Sequence, residues 1–208
     1  PYDWPDFWDV YDDGNWEPET YTVLDRFIEG DSYDWIIDIG AWVGPITLWA
    51  MQLGAHVMAI EPDPVAFEAL CHNVRQAMAA DIRPLAKRAN CYQVALAELD
   101  GVAYLANAHL GDSQSRIAST GIEVQTISVQ TLFTMEPWVK GPNLVKLDIE
   151  GYETRVLPDL LSKCHRYLTP IYISWHEPWW PEPVSEATRS SWFTGYKLEP
   201  IRGDGWTG

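Results

Sequence analysis

The stretch that most constrains the fold of this chain runs from Trp35 to Pro45 and reads WIIDIGAWVGP. Ile36, Ile37 and Ile39 would point to both faces of a strand, which is typical of a parallel sheet that is covered on both sides. Gly40 and Gly44 then bracket a turn in which a ligand can approach bare backbone. Pro45 suits the first position of a helix, because its missing N–H would have no partner there. The stretch therefore predicts a buried strand, a glycine turn and a helix.

A second predicted strand, residues 56–60, follows that helix and ends at Glu61. In nucleotide-binding βαβ units, an acid at the tip of the second strand accepts hydrogen bonds from ribose hydroxyls. Pro62 and Asp63 come next, and Asp63 is well placed to cap a helix that begins at residue 64. A turn, a helix and an acid in this order favour a nucleotide site over an ordinary strand–helix turn with a surface Glu.

The glycine spacing argues against a dinucleotide. A dinucleotide site needs G-x-G-x-x-G, whereas bulky Trp42 stands where the second glycine should be. Asp38 would repel a phosphate but would suit a cationic ligand. S-adenosylmethionine carries a ribose, an amino group and a sulfonium but no phosphate, so Asp38 and Glu61 fit it better than they fit NAD.

Charge and cysteine content limit the partners and the compartment. Asp and Glu number 30 against 14 Lys and Arg, which gives a net charge of −16. This charge repels phosphate backbones and anionic membrane surfaces, so we expect neither nucleic acid nor membrane as a partner. Cys71, Cys91 and Cys164 form no metal-binding pattern and indicate free thiols. The sequence shows no apolar run of membrane-spanning length and no signal-peptide pattern, which together with the free thiols favours the cytoplasm.

We predict an aromatic arm followed by one domain. Residues 1–16 hold five Asp, no Lys or Arg and six aromatic residues, namely Tyr2, Trp4, Phe7, Trp8, Tyr11 and Trp16. Disordered tails seldom hold so many aromatics, so the arm should pack on the domain or line its cleft. In residues 17–208, strands alternate with helices, which predicts an α/β fold with a mostly parallel sheet and helices on both faces. The later predicted strands are 91–97, 102–105, 122–127, 143–149 and 171–177, with a final pair between 192 and 201.

Three ionisable residues alternate with apolar ones along the strand that ends near Gly151. Lys146, Asp148 and Glu150 share one face of that strand, and ligands bind beyond the carboxyl ends of such strands. We therefore treat all three as candidate catalytic residues, with an internal salt bridge of Lys146 as the alternative. His176 follows the next predicted strand, and a histidine can take a proton from an attacking hydroxyl.

A metal is the alternative to a general base. Methyl transfer requires an aligned acceptor oxygen and removal of its proton. A divalent cation held by Asp148, Glu150 or Glu177 could lower the pKa of the acceptor instead. The sequence leaves both possibilities open.

Three blocks, residues 37–45, 59–64 and 144–153, together resemble the FkbM family of S-adenosylmethionine-dependent methyltransferases. The resemblance runs from about Trp16 to His176. It implies a Rossmann-like class I methyltransferase fold, with a mostly parallel seven-stranded sheet whose last strand is antiparallel. It also implies O-methylation, with S-adenosylhomocysteine as a product. The cofactor-binding residues it implies are Asp38, Gly40, Ala41, Gly44, Glu61, Pro62, Asp63 and, in the loop after Val94, Ala95.

Tryptophans outside the predicted cofactor core suggest the acceptor. The chain has 12 Trp, and an indole offers a broad apolar face with one N–H donor, which suits a sugar ring. Trp179 and Trp180 lie in a proline-flanked loop after His176, so we choose them as a sugar platform, the alternative being that they are core. Ser113 in the polar loop 111–116 and Glu177 are further candidate acceptor contacts.

We therefore predict an S-adenosylmethionine-dependent O-methyltransferase that acts on a hydroxyl of a sugar or glycan. Three alternatives stay open. One is O-methylation of a non-sugar natural product. Another is an NAD-linked oxidoreductase, against which the missing G-x-G-x-x-G counts. The third is a non-catalytic carbohydrate-binding module, against which the intact acids at the strand ends count.

Overall fold

The computed structural model describes residues 5–13, 15–28, 35–80, 89–106, 110–111, 113–136 and 142–199. Tyr2 and Trp4 of the predicted arm, Trp206 near the end and residues 200–201 of the predicted final strand lie outside these ranges. Among the described residues, no helix combines the length and the apolar character needed to cross a membrane.

Two helices precede the sheet, α1 (Pro5–Asp12) and α2 (Pro18–Phe27). The predicted βαβ unit follows as β1 (Trp35–Ile39), α3 (Pro45–Leu53) and β2 (His56–Ile60), and continues through α4 (Pro64–Ala80) into β3 (Ala89–Tyr92). The middle of the chain forms β4 (Ala95–Leu96), β5 (Gly101–Ala106), β6 (Arg116–Ala118), β7 (Ile122–Ile127) and α5 (Val129–Leu132). The last elements are β8 (Leu144–Leu147), α6 (Glu153–Tyr167), β9 (Ile171–Ile173), a 3₁₀ turn (Glu177–Trp179) and α7 (Glu186–Trp192).

The main sheet is parallel and has the strand order β3-β2-β1-β8-β9. Its order reverses between β1 and β8, which is where ligands bind in open α/β sheets. Asp38 on β1 pairs in register with Lys146 on β8, so the two strands end side by side. The site residues that follow these strands are brought together at this edge.

Both faces of the main sheet are covered, as the isoleucine-rich β1 predicts. Ile36, Val57 and Leu144 face one apolar cluster, which includes residues of α2 and α3. The neighbouring Ile37 and Val145 face a second cluster, which includes residues of α6. Alternating side chains of one strand thus reach opposite faces.

The prediction of a seven-stranded sheet is not met by the described residues, which form one sheet of five strands and another of four. The second sheet has the order β4-β7-β5-β6 and is mixed. The predicted strand pair 102–105 and 122–127 is confirmed as antiparallel β5 and β7. The single strand predicted for 91–97 is wrong, because β3 pairs with β2 whereas β4 pairs with β7.

The prediction of a final strand pair is wrong over its described part. Trp192 ends helix α7, and residues 193–199 hold no strand. The Ser185 hydroxyl accepts a hydrogen bond from the Thr188 N–H at 3.1 Å and so caps α7 at its start. Of the residues predicted as strand, Trp192 alone among those described belongs to this capped helix.

Pro158 lies inside helix α6 but does not end it. Helix α6 continues from Glu153 to Tyr167 with Pro158 inside it on the exposed side. Proline removes one backbone hydrogen bond there, but the opposite face of the helix is fully buried. The burial of Val156, Leu157, Leu160, Leu161 and Cys164 holds the helix together.

Candidate active site

A cavity of about 260 Å³ opens at the carboxyl ends of β1, β2 and β8. The turn after β1 and the tip of β2 form one wall, and the residues after β8 form another. Ala95 and Leu96 of β4 add an apolar surface, and loop 113–117 closes a further side. The cavity therefore lies at the switch point of the sheet order.

Gly40 lets the turn after β1 approach the end of β8. Its φ is +78°, and an added Cβ would lie 1.7 Å from the carbonyl oxygen of Asp148. Gly40 and Ala41 both line the cavity, as predicted. Gly44 does not, because it packs on α4, where an added Cβ would lie 2.7 Å from Leu70. Gly44 is thus a packing residue, and its predicted contact with the cofactor has no support in its position.

Glu61 lines the cavity at the tip of β2 with its carboxylate held by backbone donors. The N–H groups of Trp42 and Asp63 each donate to one of its oxygens, at 2.8 Å in both cases. Burial raises the pKa of the Glu61 carboxyl to about 7, although the two N–H donors act in the opposite direction. Pro62 beside it also lines the cavity. The tip therefore presents a fixed acceptor to the cavity, as the βαβ pattern predicts.

Asp63 is the cap of α4, as predicted, and it lies behind the cavity wall. One of its oxygens accepts hydrogen bonds from the N–H groups of Val65 and Ala66 at 2.8 and 3.1 Å. The other accepts from the Gly111 N–H and the Ser115 hydroxyl, both at 3.0 Å. Asp63 is fully buried and does not line the cavity. Asp63 therefore holds Gly111 and Ser115 next to the site through hydrogen bonds.

Lys146 forms the internal ion pair that was the alternative to a catalytic role. Its ammonium group lies 3.4 Å from carboxylate oxygens of Asp38 and Asp148, and it donates to the Gly40 carbonyl at 2.8 Å. Burial alone would lower the pKa of Lys146, but the neighbouring carboxylates outweigh it and raise the pKa. Asp38 also accepts from the Thr47 hydroxyl at 2.6 Å and is fully buried. Asp38, a predicted cofactor-binding residue, therefore supports the cavity wall from behind and is not among the residues that line it.

Asp148, Glu150 and His176 converge on the cavity wall, and we call them the acid–histidine cluster. The His176 Nε2 atom lies 3.5 Å from Asp148 Oδ1 and 3.5 Å from Glu150 Oε2. The other ring nitrogen, Nδ1, is hydrogen-bonded to buried Glu153 at 2.9 Å. Burial opposes protonation of His176, but the bond to Glu153 and the charges of Asp148 and Glu150 raise its pKa to about 9. The structure thus brings together three predicted residues and adds Glu153, which the sequence pattern did not single out.

The predicted acceptor contacts on the other side of His176 are not in the cavity wall. The Trp179 ring stacks on the His176 ring at 5.7 Å between centroids, and the Arg116 guanidinium lies 5.2 Å from the centroid of the Trp179 ring. Trp180 packs against Trp175 at 5.6 Å, and the exposed Glu177 carboxylate pairs with Arg189. None of the three predicted residues lines the cavity, so the sugar platform is not supported there. Ser113 does line it, as predicted.

The arm reaches the cavity from the other side. Trp16 and Glu17 line it, and the Phe7 ring of α1 lies 4.7 Å from Trp42 and 5.5 Å from Trp16. The arm therefore both packs on the domain and lines the cleft. Glu17, like Ser115, Tyr152 and Ser174, is a lining residue that no local pattern identified. The aromatic residues of the arm were the only sequence feature next to Glu17 that suggested a cleft.

A comparison with family models decides the class of protein. The model of the Methyltransferase FkbM domain matches residues 38–192, which is most of the chain. This chain belongs to the FkbM methyltransferase family. The match runs from Asp38 in β1 to Trp192 at the end of α7 and so includes every residue of the acid–histidine cluster. The resemblance noted from the three sequence blocks is thereby confirmed.

Two individual proteins are similar to parts of this chain. The solved structure of methyltransferase FkbM from Methylobacillus flagellatus KT superposes with a TM-score of 0.50 and 16% identity, over 69% of this chain and 33% of that chain. That likeness supports the fold alone. Ribosomal RNA small subunit methyltransferase A of Mycolicibacterium paratuberculosis (strain ATCC BAA-968 / K-10) is 40% identical over 52 residues, which is 25% of this chain and 16% of that protein. This FkbM-family chain thus spans a third or less of the length of either relative.

Proposed function

We propose that this chain is an S-adenosylmethionine-dependent O-methyltransferase whose acceptor is a hydroxyl of a neutral sugar or glycan. One observation carries the proposal. The Glu61 carboxylate and the Gly40–Ala41 turn face the cavity at the switch point, and the acid–histidine cluster stands in its wall. A nucleoside-binding side and a proton-accepting side therefore share one small cavity.

The lining residues fit a cationic nucleoside rather than a phosphate. Glu17, Glu61, Asp148 and Glu150 all line the cavity. Of the cations that line it with them, Lys146 is already paired with Asp38 and Asp148, and the Arg116 guanidinium lies 5.2 Å from the centre of the Trp179 ring. A pyrophosphate would therefore meet a wall in which carboxylates outnumber cations. Glu61 keeps lone pairs for ribose hydroxyls, and Ala95 with Leu96 offers an apolar surface for a base. When bound, the cofactor supplies a methyl group that is activated by its sulfonium.

The acid–histidine cluster fits the acceptor side of the reaction. Asp148 Oδ1 and Glu150 Oε2 are buried atoms that have no hydrogen-bond partner among the described residues. Buried acceptors without a partner are uncommon, and a hydroxyl donor from a ligand would satisfy them. As the methyl carbon leaves sulfur and bonds to the acceptor oxygen, these carboxylates can take the hydroxyl proton.

Charge and aromatic side chains support a neutral, hydroxyl-rich acceptor. The net charge of −16 and the acidic cavity wall both disfavour phosphorylated compounds and nucleic acid. Trp16 and Tyr152 line the cavity with aromatic surface, while Glu17 and Ser174 offer hydrogen-bonding groups. Sugar recognition commonly combines such apolar faces with acceptors for hydroxyl groups. These residues replace Trp179 and Trp180 as our candidates for acceptor contacts.

The cofactor half of the proposal can be tested by calorimetry. We expect S-adenosylhomocysteine to bind and NAD not to bind. Glu61→Ala should weaken S-adenosylhomocysteine binding by about tenfold to a hundredfold, because hydrogen bonds to a charged group contribute about 1.5–3 kcal/mol. Glu123→Ala, which removes an exposed acid on β7, is the matched control and should bind normally. Equal affinity in Glu61→Ala and the control would contradict the assignment of Glu61.

The acceptor half can be tested by radiolabelled methyl transfer. Neutral mono- and disaccharides would be compared with the same sugars carrying a phosphate. We expect incorporation of label into a neutral sugar and much less into its phosphorylated form. Transfer to the phosphorylated sugars alone would overturn the charge argument, and transfer to nucleic acid alone would overturn the acceptor class.

A further inference from the structure

We propose that the acid–histidine cluster is a divalent metal site, with Asp148 Oδ1, Glu150 Oε2 and His176 Nε2 as its three protein ligands. The proposal rests on the proposed function only for its role, which is to bind the acceptor oxygen. The site itself is argued from the geometry and charge of the cluster.

The spacing of the ligand atoms fits a metal better than a hydrogen-bond network. The three atoms lie within 4.8 Å of one another, and Nε2 is 3.5 Å from each carboxylate oxygen. Such separations are long for hydrogen bonds to an imidazole. Ligands about 2.1 Å from a common cation lie about 3.0 Å apart at octahedral angles and about 3.4 Å apart at tetrahedral angles, and the observed 3.5 Å is slightly longer than both. The atoms are therefore spaced as ligands would be.

Glu153 orients His176 as a metal-binding histidine is usually oriented. Ligating histidines almost always donate their other ring N–H to a carboxylate or carbonyl. Glu153 Oε1 lies 2.9 Å from His176 Nδ1, and the same oxygen accepts the Gly151 N–H at 3.0 Å. Glu153 is fully buried, so this carboxylate is fixed. With Trp179 stacked on the ring, His176 is held with Nε2 toward the two acids.

The excess of carboxylates around the acid–histidine cluster also favours binding of a cation. Four carboxylates, those of Asp38, Asp148, Glu150 and Glu153, share one lysine and one histidine through their ion pairs. Lys146 lies between Asp38 and Asp148, which leaves the side of Asp148 that faces Glu150 without a lysine. The oxygens of Asp148 and Glu150 that accept no hydrogen bond from the described residues are the two that face His176. A divalent cation at this point would compensate both.

The ligand set selects the class of metal. Two carboxylates and one imidazole suit first-row divalent cations such as Mn²⁺ better than Mg²⁺, which prefers oxygen ligands alone. Three protein ligands leave positions open, as in catalytic sites, and the cluster lines the cavity. An acceptor hydroxyl bound at an open position would lose its proton to water more readily. This would replace direct proton transfer to Asp148 or Glu150.

The test is a titration of the metal-stripped chain with MnCl₂, followed by calorimetry and by the loss of the free Mn²⁺ signal in electron paramagnetic resonance. We expect one Mn²⁺ per chain. Glu150→Gln and His176→Gln should each weaken binding at least about tenfold, and Glu153→Gln should weaken it by about 10–100-fold through His176. Glu123→Gln on β7 is the matched control and should bind as the unaltered chain does.

Each outcome decides the proposal. Absence of saturable Mn²⁺ binding to the unaltered chain overturns it, and so does binding that survives all three substitutions. Thermal unfolding of each variant shows whether it is folded, and the result for the unaltered chain does not depend on any variant. S-adenosylhomocysteine calorimetry on the same metal-stripped sample separates the two proposals. Cofactor binding without Mn²⁺ binding removes only the metal site, and the reverse removes only the proposed function.

Discussion

The Glu61 carboxylate faces the cavity and is at the same time almost fully buried. The tip of β2 needs a carboxylate that faces the cavity, yet the surrounding strands bury it so that only 5% of the residue is exposed. Two backbone N–H donors offset part of this cost. Burial still dominates, so the pKa of Glu61 rises from 4.5 to about 7.

This raised pKa predicts a specific dependence of stability on pH. Between pH 4.5 and about 7 the folded chain keeps a proton on Glu61 that the unfolded chain has released, so the free energy of unfolding falls as pH rises. The side chain in Glu61→Gln cannot titrate, so the free energy of unfolding of this variant should fall less over the same pH window. We expect the two falls to differ by up to about 3 kcal/mol. Urea unfolding at several pH values measures both chains. Parallel pH profiles would show that burial does not perturb Glu61.

At the scale of elements, the site depends on how closely the turn after β1 meets the end of β8. Gly40 has a left-handed backbone, and the carbonyl of Asp148 occupies the space of a side chain. The same contact places the Gly40 carbonyl where Lys146 donates to it. Packing between β1 and β8 therefore also positions the paired charges of the wall.

Two glycine substitutions separate backbone strain from this close approach. Gly195 has a similar left-handed backbone, and an added Cβ there would have nothing within 4 Å. Gly195→Ala should therefore lower the free energy of unfolding by about 1–2 kcal/mol. Gly40→Ala adds a steric clash with fixed backbone and should cost at least about 3 kcal/mol. The measurement is the free energy of unfolding in urea. Equal costs would mean that the turn after β1 can move away from β8.

At the scale of the whole molecule, negative charge is the dominant feature. The excess of acids over bases gives −16, and such self-repulsion destabilises a compact state. Some of it is concentrated at the cavity, where acids from α2, β2 and the segment after β8 meet. The whole chain therefore favours cations and neutral ligands at this edge.

Salt should accordingly stabilise the chain. Raising NaCl from about 20 to 200 mM shortens the screening length from roughly 20 Å to below 10 Å and weakens the repulsion. We expect the melting temperature to rise by about 2–4 °C for each kcal/mol of repulsion removed. At pH 5, close to the isoelectric point of about 4.5, the rise should be much smaller. A fall in melting temperature with salt at pH 7.5 would mean that local ion pairs outweigh the net charge.

Local patterns in the sequence determined the cofactor side of the site. The isoleucines of β1, the proline that begins α3, the acid at the tip of β2 and the Asp63 cap are all set by contacts within a few residues. Alternation along 145–150 predicted that Lys146, Asp148 and Glu150 share one face of a strand. Strand β8 ends at Leu147, and Lys146 and Asp148 lie 3.4 Å apart at its end. Strand and helix periods are short, so a single stretch of sequence contains the whole signal.

Only the tertiary structure decided the acceptor side. Glu17 directly follows the arm, and Glu153 starts α6. In the fold Glu17 and Asp148 line the same cavity, and His176 contacts both Glu153 and Asp148. Trp179 and Trp180 resemble a sugar platform in sequence, but packing on His176 and Arg189 removes them from the cavity wall. These contacts join residues far apart in the chain, and their free energy comes from burial and charge pairing. No local propensity encodes which distant partner a side chain will meet.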